Sequence, residues 1–155
     1  MSPHPSSPRG MYFDEFQVGQ TFTSPGRTIT ESDIVTFAGL SGDFNLIHTD
    51  AEYCKTSPLR QRMAHGLLCL SIVSGLALRT GMLEGTLMAF RKINEWKFVA
   101  PVFIGDTIHV EMEITQTKAF PHLGGGAVAI AIHVNNQNGG TVMKGVWTIL
   151  VMSKP

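Results

Sequence analysis

The sequence predicts an α+β domain in which a curved antiparallel sheet wraps around one long central helix. Three observations carry this. The second half of the chain alternates apolar and polar residues in several long segments. One run, from Gly66 to Leu78, is apolar on nearly every side of a helix. No repeat, linker or shift of composition divides the 155 residues, so they make one domain. Folding a chain of this size buries about 70% of its surface, which is enough for a core.

The elements follow in order. Residues 1–10 hold three prolines and no apolar stretch, so they read as a flexible tail rather than a signal peptide, with the domain over 11–155. A turn and a short strand are expected around 20–24. Thr30-Glu31-Ser32-Asp33 is a helix start, with Thr30 as N-cap and Asp33 at the capping-box position. Ile34, Val35, Phe37, Ala38 and Leu40 supply its apolar face, and Ser41-Gly42-Asp43 ends it. Residues 44–49 read as irregular, with a short helix from near Asp50. The long apolar helix spans about 65–79.

Four long strands follow. The first covers 86–99, and Pro101 and Gly105-Asp106 mark the turn after it. Over 107–115, Ile108, Val110, Met112 and Ile114 share one face, with His109, Glu111 and Glu113 on the other. Over 127–134, Val128, Ile130, Ile132 and Val134 form one face. Ala127, Ala129 and Ala131 form a small-residue face that another surface can approach closely. The last strand, 141–152, is apolar on both faces. Gly124-Gly125-Gly126 and 135–140 are turn clusters.

Charge narrows the function. Net charge is zero and only 15% of residues are charged, against about 25% in a typical domain. An electrostatic nucleic-acid binder needs clustered Lys and Arg and is excluded. The apolar run is well short of the roughly 20 residues of a membrane span. Too few charges to cover the outside, together with strands apolar on both faces, points to a homodimer or larger assembly. Cys54 and Cys69 form no CxxC pair and are expected as free thiols in a reducing, cytoplasmic setting.

Phosphate-loop, dinucleotide and zinc-protease motifs are absent. His109 and Glu111 are two ligands at most, too few for a metal site. The informative stretch is Ser41-Gly42-Asp43-Phe44-Asn45-Leu46-Ile47-His48. Its carboxylate and imidazole suit the sharing of one water: Asp43 accepts a hydrogen bond from it, and an imidazole of ordinary pKa about 6.5 exchanges its proton near neutral pH. Gly42 permits the tight path that turns both inward, and Asn45 holds the loop by local bonds. On the residues alone, a turn-capping Asp43 and a simply packed His48 stay open. Gly66 opens the apolar helix, where the first N–H groups are unpaired and a ligand oxygen can approach. His65 reads as a structural helix-start residue, with direct chemistry as the alternative.

SGDFNLIH, the downstream Ala64-His65-Gly66, and the later segment Trp96 to Thr107 with its Phe98, Pro101, Val102, Gly105 and Asp106 together resemble the MaoC-like dehydratase family, especially the (R)-specific enoyl-CoA hydratases. The resemblance covers about 12–152. Leu46 stands where that family usually has proline, which is expected to loosen the loop. The resemblance implies the hot dog fold and a homodimer with sheets joined edge to edge. It implies that Asp43 and His48 activate the water added to a trans-2-enoyl thioester, that the Gly66 N–H holds the carbonyl as it becomes an enolate, and that Asn45 supports the loop. It implies no metal or redox cofactor, because coenzyme A or a carrier's pantetheine is part of the substrate. Which of Asp43 and His48 is the base stays open.

Three rivals stand beside it. One is a 3-hydroxyacyl-[acyl-carrier-protein] dehydratase, for which Arg60 and Arg62 would meet a phosphate. Another is a hot dog thioesterase, disfavoured because 65–79 holds no Asp or Glu. The last is a non-catalytic acyl-binding subunit. Met82, Leu83, Leu87 and Met88 could line the end of the acyl pocket, but ordinary packing accounts for them better.

Overall fold

The structure, a computed structural model, describes residues 9–155. Its elements are β1 (Thr21–Thr23), β2 (Arg27–Thr28), α1 (Glu31–Ser41), α2 (Leu46–Thr49), α3 (Ala51–Lys55), α4 (Gly66–Leu78), β3 (Leu87–Phe98), β4 (Thr107–Phe120), β5 (Gly125–Asn135) and β6 (Thr141–Met152). The antiparallel sheet runs β1-β4-β5-β6-β3, and β2 also pairs with β4. The α+β plan and the central helix match the sequence reading. Of the expected N-terminal tail, residues 1–8 lie outside the described residues. Gly10 is buried, and its N–H donates to Glu84 O at 2.8 Å, so it packs with the domain.

The alternating strands land as expected. Ile108, Val110, Met112 and Ile114 of β4 and Val128, Ile130, Ile132 and Val134 of β5 are all at most 2% exposed. They form the inner face of the sheet, against Leu68, Cys69, Ile72, Val73, Leu76 and Ala77 of α4. Burying such side chains stabilises by about 1.5–3 kcal/mol each, and this places α4 firmly in the curve of the sheet.

Four details differ. The expected short strand is β1, and a second one, β2, follows it, separated where Pro25 lacks an N–H for the ladder. Ser24 bridges the gap, its N–H donating to Val110 O and its Oγ accepting from Val110 N, both at 2.9 Å. Gly125 and Gly126 are strand, not turn, and β4 continues to Phe120 to pair with them. They are glycines because the backbone of Val151 occupies the space of a Cβ at Gly125 and the Phe13 ring that at Gly126. Residues 44–49 are not wholly irregular, because Asn45 caps the single turn α2. Finally, α4 is not enclosed on every side. Leu67 and Leu78 are 63% and 53% exposed and, with Ser71, Ser74 and Gly75, leave one open stripe.

β3 is the sheet's other edge. It pairs with β6 on one side only, and Leu87, Phe90, Ile93 and Phe98 along it are exposed. On the outer face of β5, Ala127, Ala129 and Ala131 are half-buried.

Candidate active site

The site is assembled from the end of α1 to the start of α4. Thr30 and Asp33 cap α1 reciprocally, as the sequence indicates. Gly42 closes α1 in the left-handed region at φ 78°, which glycine adopts without strain. The chain then turns on short bonds. Asp43 N donates to Ser41 Oγ at 3.1 Å, Asn45 N donates to Asp43 Oδ1 at 3.1 Å, and Ile47 N donates to Asn45 Oδ1 at 3.2 Å. Thr49 Oγ1 reaches back to Phe44 O and Asn45 O. Leu46, expected to loosen this loop, is the first residue of α2. That is a position where proline is tolerated, and here the Asn45 cap organises the turn with leucine in its place.

His48 is buried on α2, and its Nδ1 lies 2.7 Å from Met63 O. A carbonyl oxygen only accepts, so Nδ1 carries a proton, and in the neutral ring the lone pair is on Nε2. His65 is the residue before α4 and makes no cap bond to it. Its Nε2 instead donates to the backbone oxygen of Asp43 at 2.9 Å. The two imidazoles stack at 3.8 Å between centroids and 28° between planes, and Phe37 packs on His65 at 4.9 Å. Ligand atoms of Asp43, His48 and His65 lie within 4.8 Å of one another. Each of the two imidazoles already commits one ring nitrogen to a backbone carbonyl.

His48 borders an apolar pocket of about 340 Å³, lined also by Ile47, Met63, Gly66, Leu67, Cys69, Phe98, Val102 and Met143 among others. Gly66 is the first residue of α4, so its N–H has no partner within the helix. A Cβ there would lie 2.8 Å from Phe98 Cε1, so glycine lets the ring and a ligand oxygen come close. The sequence reading brought together Asp43, His48, His65 and Gly66, with Gly42 and Asn45 supporting them. It assigned no role to Phe98, Cys69 or Met143. Phe98 was visible within the segment before Pro101, but only the fold shows it facing Gly66.

Other expectations shift. Met82 and Leu83 are core residues and Leu87 and Met88 lie at the exposed edge, so none of them lines this pocket. Arg62 is committed to Glu31 at 2.6 Å, while Arg60 is exposed. His109 and Glu111 pair at 3.3 Å on the outer face of the sheet.

Cys54 and Cys69 are free and buried. Burial pushes the Cys69 thiol up to about 12, with Asp33 and Asp106 adding to the effect. A thiol reagent at pH 8 is therefore expected to label Cys69 only when the protein unfolds. Because the folded thiol holds its proton longer than the unfolded one, its contribution to stability is intact below pH 9 and is lost between about 9 and 12. Fast labelling of native protein, read by mass spectrometry, would contradict this environment.

The family profile described as MaoC like domain matches residues 15–136. The chain belongs to this family. It is 36% identical over 104 residues to an (R)-specific enoyl-CoA hydratase of Rhodospirillum rubrum, covering 67% of this chain and 69% of that one. It is 38% identical over 101 residues to the protein MaoC of Klebsiella aerogenes, covering 65% of this chain and 30% of that longer protein. Among solved structures, an Archaeoglobus protein described as a monoamine oxidase regulatory protein superimposes with a TM-score of 0.87 at 35% identity, over 94% of this chain and 97% of that one. A Mycobacterium tuberculosis protein described as having a double hotdog fold gives 0.84 at 18% identity, over 95% of this chain and 46% of that one. The MaoC-like chain therefore has the hot dog fold. No helix among its described residues is long and apolar enough to cross a membrane.

Proposed function

We propose that this MaoC-like protein reversibly hydrates trans-2-enoyl thioesters, with coenzyme A as carrier, to (3R)-3-hydroxyacyl thioesters. The observation that carries the reading is the bond from His48 Nδ1 to Met63 O. It leaves Nε2 as the basic nitrogen of a ring that lines an apolar pocket and has a nitrogen within 4.8 Å of an Asp43 carboxylate oxygen.

His48 Nε2 takes a proton from water as the water oxygen bonds to C3, and Asp43 orients that water by accepting its second hydrogen. The C2=C3 electrons move onto the thioester oxygen. The Gly66 N–H, at the positive end of α4, receives that enolate. The protonated His48 Nε2 then gives that proton to C2, while the second hydrogen stays on the new C3 hydroxyl, so the elements of one water are added and the pair returns to its starting state. This reading makes His48 the base, the choice left open by the sequence.

A homodimer belongs to the proposal. Its support is the unpaired apolar edge of β3 and the place of Phe98, which is both on that edge and in the pocket wall. A second copy paired at β3 would cover the pocket mouth.

The test is a panel of enoyl-CoA thioesters from crotonyl-CoA upward, followed by loss of the conjugated thioester absorbance. Loss of absorbance with formation of the 3R alcohol is expected. Faster turnover of matched carrier-protein substrates would move the reading to the dehydratase. No turnover at any chain length would remove it.

A further inference from the structure

We propose that His65 is a positioning residue. Its imidazole ties the Asp43 loop to the start of α4 and backs the His48 ring, so that carboxylate, base and the Gly66 N–H are held as one unit. This rests on the hydratase reading above.

Asp43 makes three hydrogen bonds. Two join it to Ser41 and Asn45, its own neighbours in the loop. The third, from His65 Nε2 to Asp43 O at 2.9 Å, anchors it to another element. Asp43 itself is exposed, so packing does not fix it. Without His65 the carboxylate is held only by the turn that carries it.

The chemistry of the ring fits this role better than a reacting one. Asp43 O only accepts, so His65 carries its proton on Nε2. Its Nδ1 is buried with no partner, and the residue is 2% exposed. A second proton there would sit on a buried donor without an acceptor, which is costly. His48 lines the pocket and His65 does not. The titratable groups near the pair are Asp43 and, further along the pocket wall, Cys69. Of two rings stacked at 3.8 Å, one therefore handles the proton and the other holds its place. Misplacing a catalytic group by about 1 Å costs on the order of 10²-fold in rate.

Two variants separate the roles. His65→Phe keeps a ring against His48 and loses the donor, whereas His65→Gln keeps a donor at similar reach. For His65→Phe, kcat on crotonyl-CoA should fall about 10²-fold, with KM nearly unchanged, and His65→Gln should recover most of the loss. Thermal unfolding checks that both variants fold. Wild-type kcat in His65→Phe, or a His65→Gln variant as impaired as the Phe variant, overturns the proposal.

Nitrogen-15 NMR of the histidine rings in the unmodified protein tests the same tie without activity. His65 is expected to be protonated at Nε2 and bare at Nδ1, with His48 the reverse. The opposite tautomer of His65 also overturns the proposal, and this decides the matter if the Phe variant does not fold. An unmodified protein that turns over no enoyl thioester sinks the hydratase reading instead, and the tautomer still decides the tie.

Discussion

His48→Ala should lower kcat on crotonyl-CoA by about 10²–10⁴-fold, the usual contribution of a positioned general acid or base, and Asp43→Ala should do the same. The two differ in what else they disturb. His48 is buried, and its removal leaves Met63 O without its donor, a cost of about 1–3 kcal/mol in stability. Asp43 is exposed, so its truncation leaves no cavity. Asp43→Asn is cleaner still, because an amide oxygen can still accept from Asn45 N while the charge is gone. If both groups act on one water, the double variant should be little worse than either single one. Rates and circular dichroism measured together check this. A folded Asp43→Asn or His48→Ala protein with undiminished kcat would remove the proposed chemistry.

Gly66→Ala should lower kcat/KM by about 10²–10³-fold while leaving the melting temperature nearly unchanged. The backbone N–H survives the substitution, and alanine is a good helix residue. The damage comes from the added carbon, 2.8 Å from Phe98 Cε1 and 3.0 Å from its Cδ1. Phe98 is 54% exposed, so the ring can swing aside without opening the core. What it cannot do is leave both its own place and the space in front of the N–H free for a thioester oxygen. A variant with ordinary kcat/KM would show that no ligand oxygen approaches Gly66 closely. A large drop in melting temperature would assign this glycine to packing.

Much of the fold was legible because two periods dominate it. Over 108–114 in β4 and 128–134 in β5 the even-numbered residues are the buried ones, as alternation requires. What was not legible depends on contacts distant in sequence. Gly125 and Gly126 look like part of a glycine turn until Val151 and the Phe13 ring are seen in the place of their side chains. The open stripe on α4 mixes Leu67 and Leu78 with Ser71, Ser74 and Gly75, and its two leucines mask the exposure of that side. Asp43, His48 and Gly66 could be found because they lie close in sequence around recognisable caps. Phe98 and Met143 reach the pocket from β3 and β6, and no local pattern connects those strands to the loop. The sequence left His65 as a helix-start residue; its bond runs back to Asp43 rather than into α4.

The origin of the parts has an evolutionary consequence. The proposed reacting groups come from one contiguous stretch, Asp43 to Gly66, which also gives Ile47 and Met63 to the pocket wall, whereas Phe98, Val102 and Met143 reach that wall from the sheet and the turn after β3. Part of the pocket wall is therefore encoded apart from the proposed chemistry. Under the hydratase reading, drift at those strand and turn positions can retune which chain is accepted while the water-handling stretch stays untouched. A lineage built on this arrangement can diversify its substrates without reinventing its reaction.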